Sequence, residues 1–251
     1  MQIYLAAEAA ELPVTDPRLR VACVDYHFAR PFPAGLPVQR EGTMLMGGDV
    51  DARRVPEIAS ECRRRELRAV LAGFGGSPAL ETARFCDGLL RHGLQPILTE
   101  SAWRAGCGAE ELISTALSGG DLRSRLEEAR ARCPQLCLDL ERLCRSFPLP
   151  CPDGEGDPLP RQTLAWLLRR RAKPSFSEEL MCKAFHAEIK GETRFILFDD
   201  RETLCRKAEL AASLGIGRVF LLYPEWSAED ALAAAEAAGY DSDGKSPIIG
   251  G

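Results

Sequence analysis

The sequence predicts an α/β protein built as a single (β/α)8 TIM-type barrel. Short, continuous apolar runs alternate with amphipathic stretches of helical length along the 251 residues. Runs of this kind indicate strands that are buried on both faces, as in a parallel sheet covered by helices. Roughly eight or nine such runs favour a closed barrel. The alternative is an open, doubly wound sheet, but its usual GxGxxG fingerprint after the first strand is absent.

The elements follow one another in a regular order. The predicted strands are Val21–Phe28, Thr43–Val50, Arg68–Phe74, Gln95–Glu100, Leu112–Ser118, Gln135–Glu141, Arg194–Asp200 and Arg218–Pro224. The predicted helices are Val55–Glu66, Pro78–Arg91, Asp121–Arg132, Glu202–Leu214 and Ala228–Ala238. We expect residues 1–240 to form one domain and residues 241–251 a loose C-terminal tail.

One segment interrupts this alternation. Ser146–Pro160 is rich in proline and acidic residues and predicts a long loop on the C-terminal side of the preceding strand. Long loops at that end of a barrel often shape an active site. A solvated connector is the alternative.

Composition limits the classes of function. The net charge of −5 does not favour nucleic acid or an anionic membrane surface as a partner. Neither a signal peptide nor an apolar run of membrane-spanning length is visible, so we expect a cytoplasmic protein. The ten cysteines are scattered without a CxxC pair, which predicts reduced, buried thiols rather than disulfides or a zinc site. No cofactor is expected.

The strongest candidate for chemistry is the stretch CLDLE. Because side chains alternate across a strand, Cys137, Asp139 and Glu141 share one face, and the intervening leucines share the other. Leucines suit the helix-covered face, which directs both carboxylates inward near the mouth of the barrel. Two close carboxylates would have pKa values pushed apart, as acid/base catalysis requires. The alternative is that they pair with arginines or hydroxyls inside the barrel.

Polar residues also end other strands. If the strands are parallel, these ends converge on one mouth and would line a polar pocket. The candidate ligand-binding residues are Asp25, His27, Asp49, Asp199, Tyr223 and Glu225. Such a pocket could hold a divalent cation, but no metal-ligand spacing is present and we predict no metal site. Asp200 is expected to be a helix N-cap, with Thr203 nearby.

The stretch GFGGSP, residues 73–78, follows a predicted strand and precedes a helix. Backbone N–H groups at such a place could hold a phosphate. No lysine or arginine follows closely, and Pro78 is also explained as a first-turn proline.

The stretch His186–Trp226 combines Phe198-Asp199-Asp200, then Thr203 with Lys207, and then glycines that precede Val219–Tyr223. This pattern resembles the last two β/α units of family 18 glycoside hydrolases, in particular the compact branch related to bacterial spore-cortex hydrolases. It implies a barrel whose fourth strand ends in Asp-x-Glu, with the glutamate as general acid and the substrate's acetamido group as nucleophile.

The corresponding strand here is AVLAGFGG. Gly73 stands where that family has the aspartate, and Gly75 where it has the general acid. Leu222 or Tyr223 stands in place of a tryptophan on the last strand. The resemblance therefore implies a hydrolase-like barrel without the standard catalytic pair. Asp139-Leu140-Glu141 has the same spacing and would be the motif itself if the strands were misnumbered.

Three functions follow as hypotheses. The first is a degenerate, non-hydrolytic barrel that binds a glycan fragment or another small polar ligand at its mouth. The second is an active amino-sugar hydrolase that uses Glu141 as acid/base and Asp139 as orienting residue. The third is a scaffold that binds a partner and has no small-molecule site. We expect Trp103 and Trp226 to line any glycan groove and Trp166 to belong to the core.

Overall fold

The computed structural model describes residues 1–8, 20–25, 42–46, 50–73, 78–151, 154, 156–170 and 173–239. Within them, the parallel strands are β1 (Gln2–Glu8), β2 (Arg20–Asp25), β3 (Thr43–Met46), β4 (Ala69–Ala72), β5 (Gln95–Thr99), β6 (Glu110–Ser114), β7 (Leu136–Asp139) and β13 (Arg218–Leu222). They pair in the order β1-β13-β7-β6-β5-β4-β3-β2, and β2 pairs again with β1. The predicted α/β class with a TIM-like parallel sheet is confirmed.

Six helices are present in the described ranges. They are α1 (Val55–Arg64), α2 (Ala79–Arg91), α3 (Leu122–Arg132), α4 (Arg161–Arg169), α5 (Arg201–Ser213) and α6 (Ala228–Ala237). Five of them were predicted to within a few residues at each end, and α4 was missed. Turns without a helix connect β5 to β6 through residues 100–109. The alternation of strand and helix is therefore less regular than the sequence predicts.

Apolar side chains form one layer inside the ring of strands and another between the strands and the helices. On β7, Leu136 and Leu138 pack on the helix-covered side, and Cys137 packs inside the ring of strands. On β1, Ile3 lies in the outer layer and Tyr4 in the inner layer. Burial on both faces explains why these strands read as continuous apolar runs. The sequence prediction missed β1, although it has this pattern.

A second, antiparallel sheet is inserted between β7 and α5. Its strands are β8 (Cys144–Pro148), β9 (Asp157–Pro158), β10 (Ser175–Ser177), β11 (Cys182–Ile189) and β12 (Glu192–Phe198), in the order β10-β11-β12-β8-β9. The prediction of Arg194–Asp200 as a barrel strand was therefore wrong, because most of this segment pairs antiparallel with β11 and β8. The prediction of Ser146–Pro160 as a loop was wrong at both ends, which form β8 and β9.

A buried ion pair connects the inserted sheet to the barrel. The Lys207 ammonium lies 2.7 Å from a carboxylate oxygen of Asp199, and both side chains are almost fully buried. The Thr203 hydroxyl and the Leu143 amide also donate to Asp199, at 2.9 and 2.8 Å. Asp200 forms a capping box with Thr203 at the start of α5, which confirms the predicted N-cap.

Two further observations bear on the sequence predictions. The nine cysteines whose side chains are described are free thiols; five of them are buried, as predicted, and four are partly exposed. In the described part of the chain, no helix is both long and apolar enough to cross a membrane.

The Lys207→Met variant tests the buried pair. It should lower the free energy of unfolding by about 3–5 kcal/mol, because it leaves the Asp199 carboxylate buried without its cation. The control is Arg91→Met, which removes a pair on the surface of α2 whose side chains are 74% and 62% exposed. That change should cost no more than ~1 kcal/mol. Urea unfolding of both variants measures the difference, and equal losses would show that Lys207 is not structural.

Candidate functional site

The register of three neighbouring strands brings polar groups together at the carboxyl end of the sheet. Asp139 at the end of β7 pairs with Ser114 at the end of β6 and with Phe220 on β13. Leu222 lies two residues beyond Phe220, at the end of its strand. These positions form one sector of the mouth of the barrel, where active sites of this architecture lie.

Asp139 points into the ring of strands, as predicted. Cys137, two residues earlier on the same face, packs in the inner apolar layer. Asp139 keeps part of its solvent exposure, although protein surrounds its carboxyl group. This combination is expected of a group on the floor of a pocket. Burial, together with the charges of Glu141 and Glu225, raises the pKa of Asp139 to about 7.

Glu141 lies just beyond the end of β7 and is exposed. One carboxylate oxygen accepts a hydrogen bond from the Ser114 hydroxyl at 2.7 Å. The Ser114 oxygen in turn accepts from the Ala116 amide at 3.1 Å. No ion pair to Glu141 occurs among the described residues, so it differs from an arginine-paired carboxylate of a packed interior.

Glu225 follows the last strand, and a hydrogen bond to its backbone carbonyl fixes its position. Its carbonyl oxygen accepts from the Arg142 guanidinium at 2.9 Å. That guanidinium also lies 4.8 Å from the centre of the Trp226 ring. Trp226 donates from its indole N–H to the Leu140 carbonyl at 2.7 Å. One side-chain oxygen of Glu225, Oε2, is buried and has no hydrogen-bond partner in the described structure.

The last strand has an apolar residue at the mouth. Leu222 shares the inward face of Phe220 and is 37% exposed. Tyr223 instead packs against the outer layer, and its amide donates to the Ala6 carbonyl at 2.8 Å. Of the two candidates for the family's tryptophan position, Leu222 is the one that faces the mouth.

The other predicted site residues do not all join this sector. Asp199 is 1% exposed and accepts hydrogen bonds from groups of the protein itself, so no ligand can reach it in this arrangement. The backbone of Asp25 ends β2, and its side chain is not described. His27, Asp49 and Gly75 lie outside the described residues.

Two tryptophans are placed differently from the prediction. Trp226 is 2% exposed, so it cannot line a groove, and Trp166 on α4 is 44% exposed and not in the core. Arg170 stacks on the Trp166 ring at 4.0 Å. Trp103 is half-buried, and its indole N–H donates to the Ala109 carbonyl at 3.0 Å.

The fourth strand in chain order, β4, ends next to Gly73. Gly73 has a φ of +90°, and a Cβ added to it would lie 2.5 Å from the Cβ of Ala102. The Gly73 carbonyl also accepts a hydrogen bond from Thr99. A side chain at this position would therefore be both strained and obstructed. Asp139 ends the seventh barrel strand in chain order, so the strand numbering does not make Asp139-Leu140-Glu141 the fourth-strand motif.

Over the described ranges, no three His, Cys, Asp or Glu side chains are arranged so that they could hold a metal ion. Ser114 and Arg142 were missed by the sequence prediction. Ser114 could have been found from strand register, since it lies directly opposite Asp139.

No protein-family model and no curated protein sequence matches the chain. Solved structures do match. The spore cortex-lytic enzyme SleL of Bacillus megaterium QM B1551 has a TM-score of 0.63 at 12% identity, over 96% of this chain and 74% of that one. A family 18 N-acetylglucosaminidase from Paenibacillus barengoltzii has a TM-score of 0.60 at 12% identity, over 97% and 99%. A chitinase from Chromobacterium violaceum has a TM-score of 0.58 at 14% identity, over 78% of each chain.

The chain has a family 18 glycoside hydrolase-like fold. This confirms the resemblance seen in the C-terminal third of the sequence and extends it over most of the chain. Identities of this size establish the fold alone, so activity must be argued from the site residues.

Alanine substitutions at three glycines test the constraint at Gly73. Gly119→Ala, with open space and an ordinary φ, should be nearly neutral, and Gly120→Ala, with open space at φ +85°, should cost about 1–2 kcal/mol. Gly73→Ala should cost roughly 2–5 kcal/mol, because it adds a clash with Ala102 to the strain. Urea unfolding gives the three values. A neutral Gly73→Ala would mean that this strand end can accept a side chain.

Asp139→Asn tests the raised pKa. Because the folded protein binds this proton more tightly, the contribution of Asp139 to stability is complete below about pH 3.8 and is lost as the pH rises through about 7. The variant cannot ionise at this position. The difference between its free energy of unfolding and that of the wild type should therefore shift in favour of the variant as the pH rises through this range, and should stay constant at higher pH.

Urea unfolding as a function of pH measures this gain. The control is Glu128→Gln on the exposed surface of α3, which should show no such trend. A difference between Asp139→Asn and wild type that does not change with pH would contradict a pKa near 7.

Proposed function

We propose that this protein is a glycoside hydrolase-like barrel that binds a glycan fragment or another small polar ligand at its mouth and does not hydrolyse it by the family's standard route. The observation that carries the proposal is the end of the fourth strand. Gly73 has no side chain to orient a substrate, and Ala102 occupies the space that such a side chain would need. We further propose that residues 1–240 form one cytoplasmic barrel domain into which the antiparallel sheet is inserted.

The carboxylates on the other side of the mouth support the binding role. Asp139, Glu141 and Glu225 can accept hydrogen bonds from the hydroxyl groups of a sugar. Leu222 offers a partly exposed apolar surface against which the C–H face of a sugar ring can pack. Binding pockets typically combine such an apolar contact with a few fixed polar groups.

Hydrolysis by a carboxyl group of the seventh strand is the second candidate. The observation that favours it is the pKa of Asp139, which lies near neutrality, where a general acid works best. Against it, Glu141, which we had predicted to be the acid, is exposed and follows the seventh strand rather than the fourth.

The deciding experiment combines turnover and binding on the same purified protein. N-acetylglucosamine oligomers and muropeptide fragments are incubated with it, products are followed by mass spectrometry, and binding is followed by calorimetry. We expect binding without product. Asp139→Asn should weaken binding about tenfold, because a hydrogen bond to a charged acceptor is replaced by a weaker one. The surface control Glu128→Gln should bind as the wild type does.

The other outcomes are equally informative. Turnover that is abolished by Asp139→Asn or Glu141→Gln would contradict the non-hydrolytic proposal and make the protein an enzyme. Absence of both turnover and binding would leave the partner-binding scaffold as the better account of the fold.

A further inference from the structure

Three carboxylates lie near one another at the mouth, after the ends of β7 and β13. The charges of Glu141 and Glu225 both raise the pKa of Asp139, and none of the described cationic groups lowers it. None of the three forms an ion pair within the described ranges. Two guanidinium groups bind backbone carbonyls beside these carboxylates: that of Arg142 binds the Glu225 carbonyl and stacks on Trp226, and that of Arg161 binds the Pro224 carbonyl.

Their hydrogen-bonding capacity is largely unused. The described residues provide no donor to the Asp139 carboxylate, and Oε2 of Glu225 is buried without a partner. Among the described residues, the Glu141 carboxylate accepts a hydrogen bond only from the Ser114 hydroxyl. Buried polar atoms without partners are costly and uncommon in native structures, so Oε2 of Glu225 is the atom of this group that most needs a donor, and a ligand could supply it.

We propose that the mouth selects a sugar that carries a protonated amine, a de-N-acetylated amino sugar, over its neutral N-acetylated counterpart. The inference rests on the proposed function, since it takes the mouth to be the glycan-binding site. An ammonium group supplies a positive charge and three N–H donors, which can satisfy several of the carboxylate oxygens at once. An acetamido group supplies one N–H and no charge.

The rest of the sector fits the sugar part of such a ligand. Leu222 presents apolar surface to a ring face. At the end of β5, beside this sector, the Thr99 hydroxyl donates to the Gly73 carbonyl and lies 3.1 Å from the Ser101 hydroxyl. Both hydroxyl oxygens can still accept hydrogen bonds from sugar hydroxyls. Charge-assisted hydrogen bonds are about twice as strong as neutral ones, so the amine should determine the preference.

The test compares two matched ligands, the trimer of glucosamine and the trimer of N-acetylglucosamine, by calorimetry at neutral pH and low ionic strength. We expect the amine form to bind at least about tenfold more tightly. Glu225→Gln and Asp139→Asn should each reduce this preference to a few-fold, and Glu128→Gln should leave it unchanged. Circular dichroism of each variant confirms that it is folded, and two independent variants keep the test decisive if one fails to fold.

The outcomes separate this inference from the proposal on which it rests. Equal binding of the two trimers, or tighter binding of the acetylated one, would overturn the inference and leave the glycan-binding function intact. Binding of neither would overturn both. Spermidine binding as tightly as the glucosamine trimer would overturn the choice of a sugar and indicate a general cation site. A preference that survives in both site variants would place the amine elsewhere on the surface.

Discussion

The parallel pairing of β7 with both β6 and β13 determines where the polar side chains of the candidate site meet. In that register Asp139, Ser114 and Phe220 lie side by side, so the residues that follow each strand gather in one sector of the mouth. The alternation of side chains places the carboxylate of Asp139 inward, above an apolar layer that includes Cys137 and Tyr4. A carboxyl group above such a layer is poorly solvated on one side, which is why its pKa rises.

The end of the fourth strand is closely packed and carries no carboxylate, unlike the end of the seventh. The positive φ of Gly73 and the closeness of Ala102 make this strand end a packed part of the molecule, with no room for a side chain. The ends of the seventh and eighth strands instead carry carboxylates that form no ion pair with the described residues. A fold shared with chitinases and spore cortex-lytic enzymes is compatible with this redistribution, because a barrel can carry unrelated sites at the ends of different strands.

The sequence predicted the parts of the structure in which local pattern and tertiary environment agree. The strands β4, β5, β7 and β13 are buried on both faces, and each appears in the sequence as a continuous apolar run. The inward direction of Asp139 followed from alternation alone. The inserted sheet was missed because β12 is half-exposed at its start and pairs antiparallel, yet its apolar end reads like a barrel strand. The Lys190-Gly191 turn, with φ values of 54° and 82°, was the available hairpin signal. The burial of Asp199 with Lys207 and the burial of Trp226 in the outer apolar layer depend on contacts between distant segments, which no local pattern reports.

Direct titration of the Asp139 carboxyl carbon by carbon-13 NMR, with and without a glucosamine oligomer, tests the central claim that this group is an unpaired carboxyl at a ligand-binding mouth. We expect a midpoint near pH 7 in the free protein. We also expect a clear fall in that midpoint when the ligand's ammonium binds beside the carboxyl group. A midpoint at the ordinary value for aspartate, unchanged by the ligand, would show that Asp139 is solvated or already paired and that the binding site lies elsewhere.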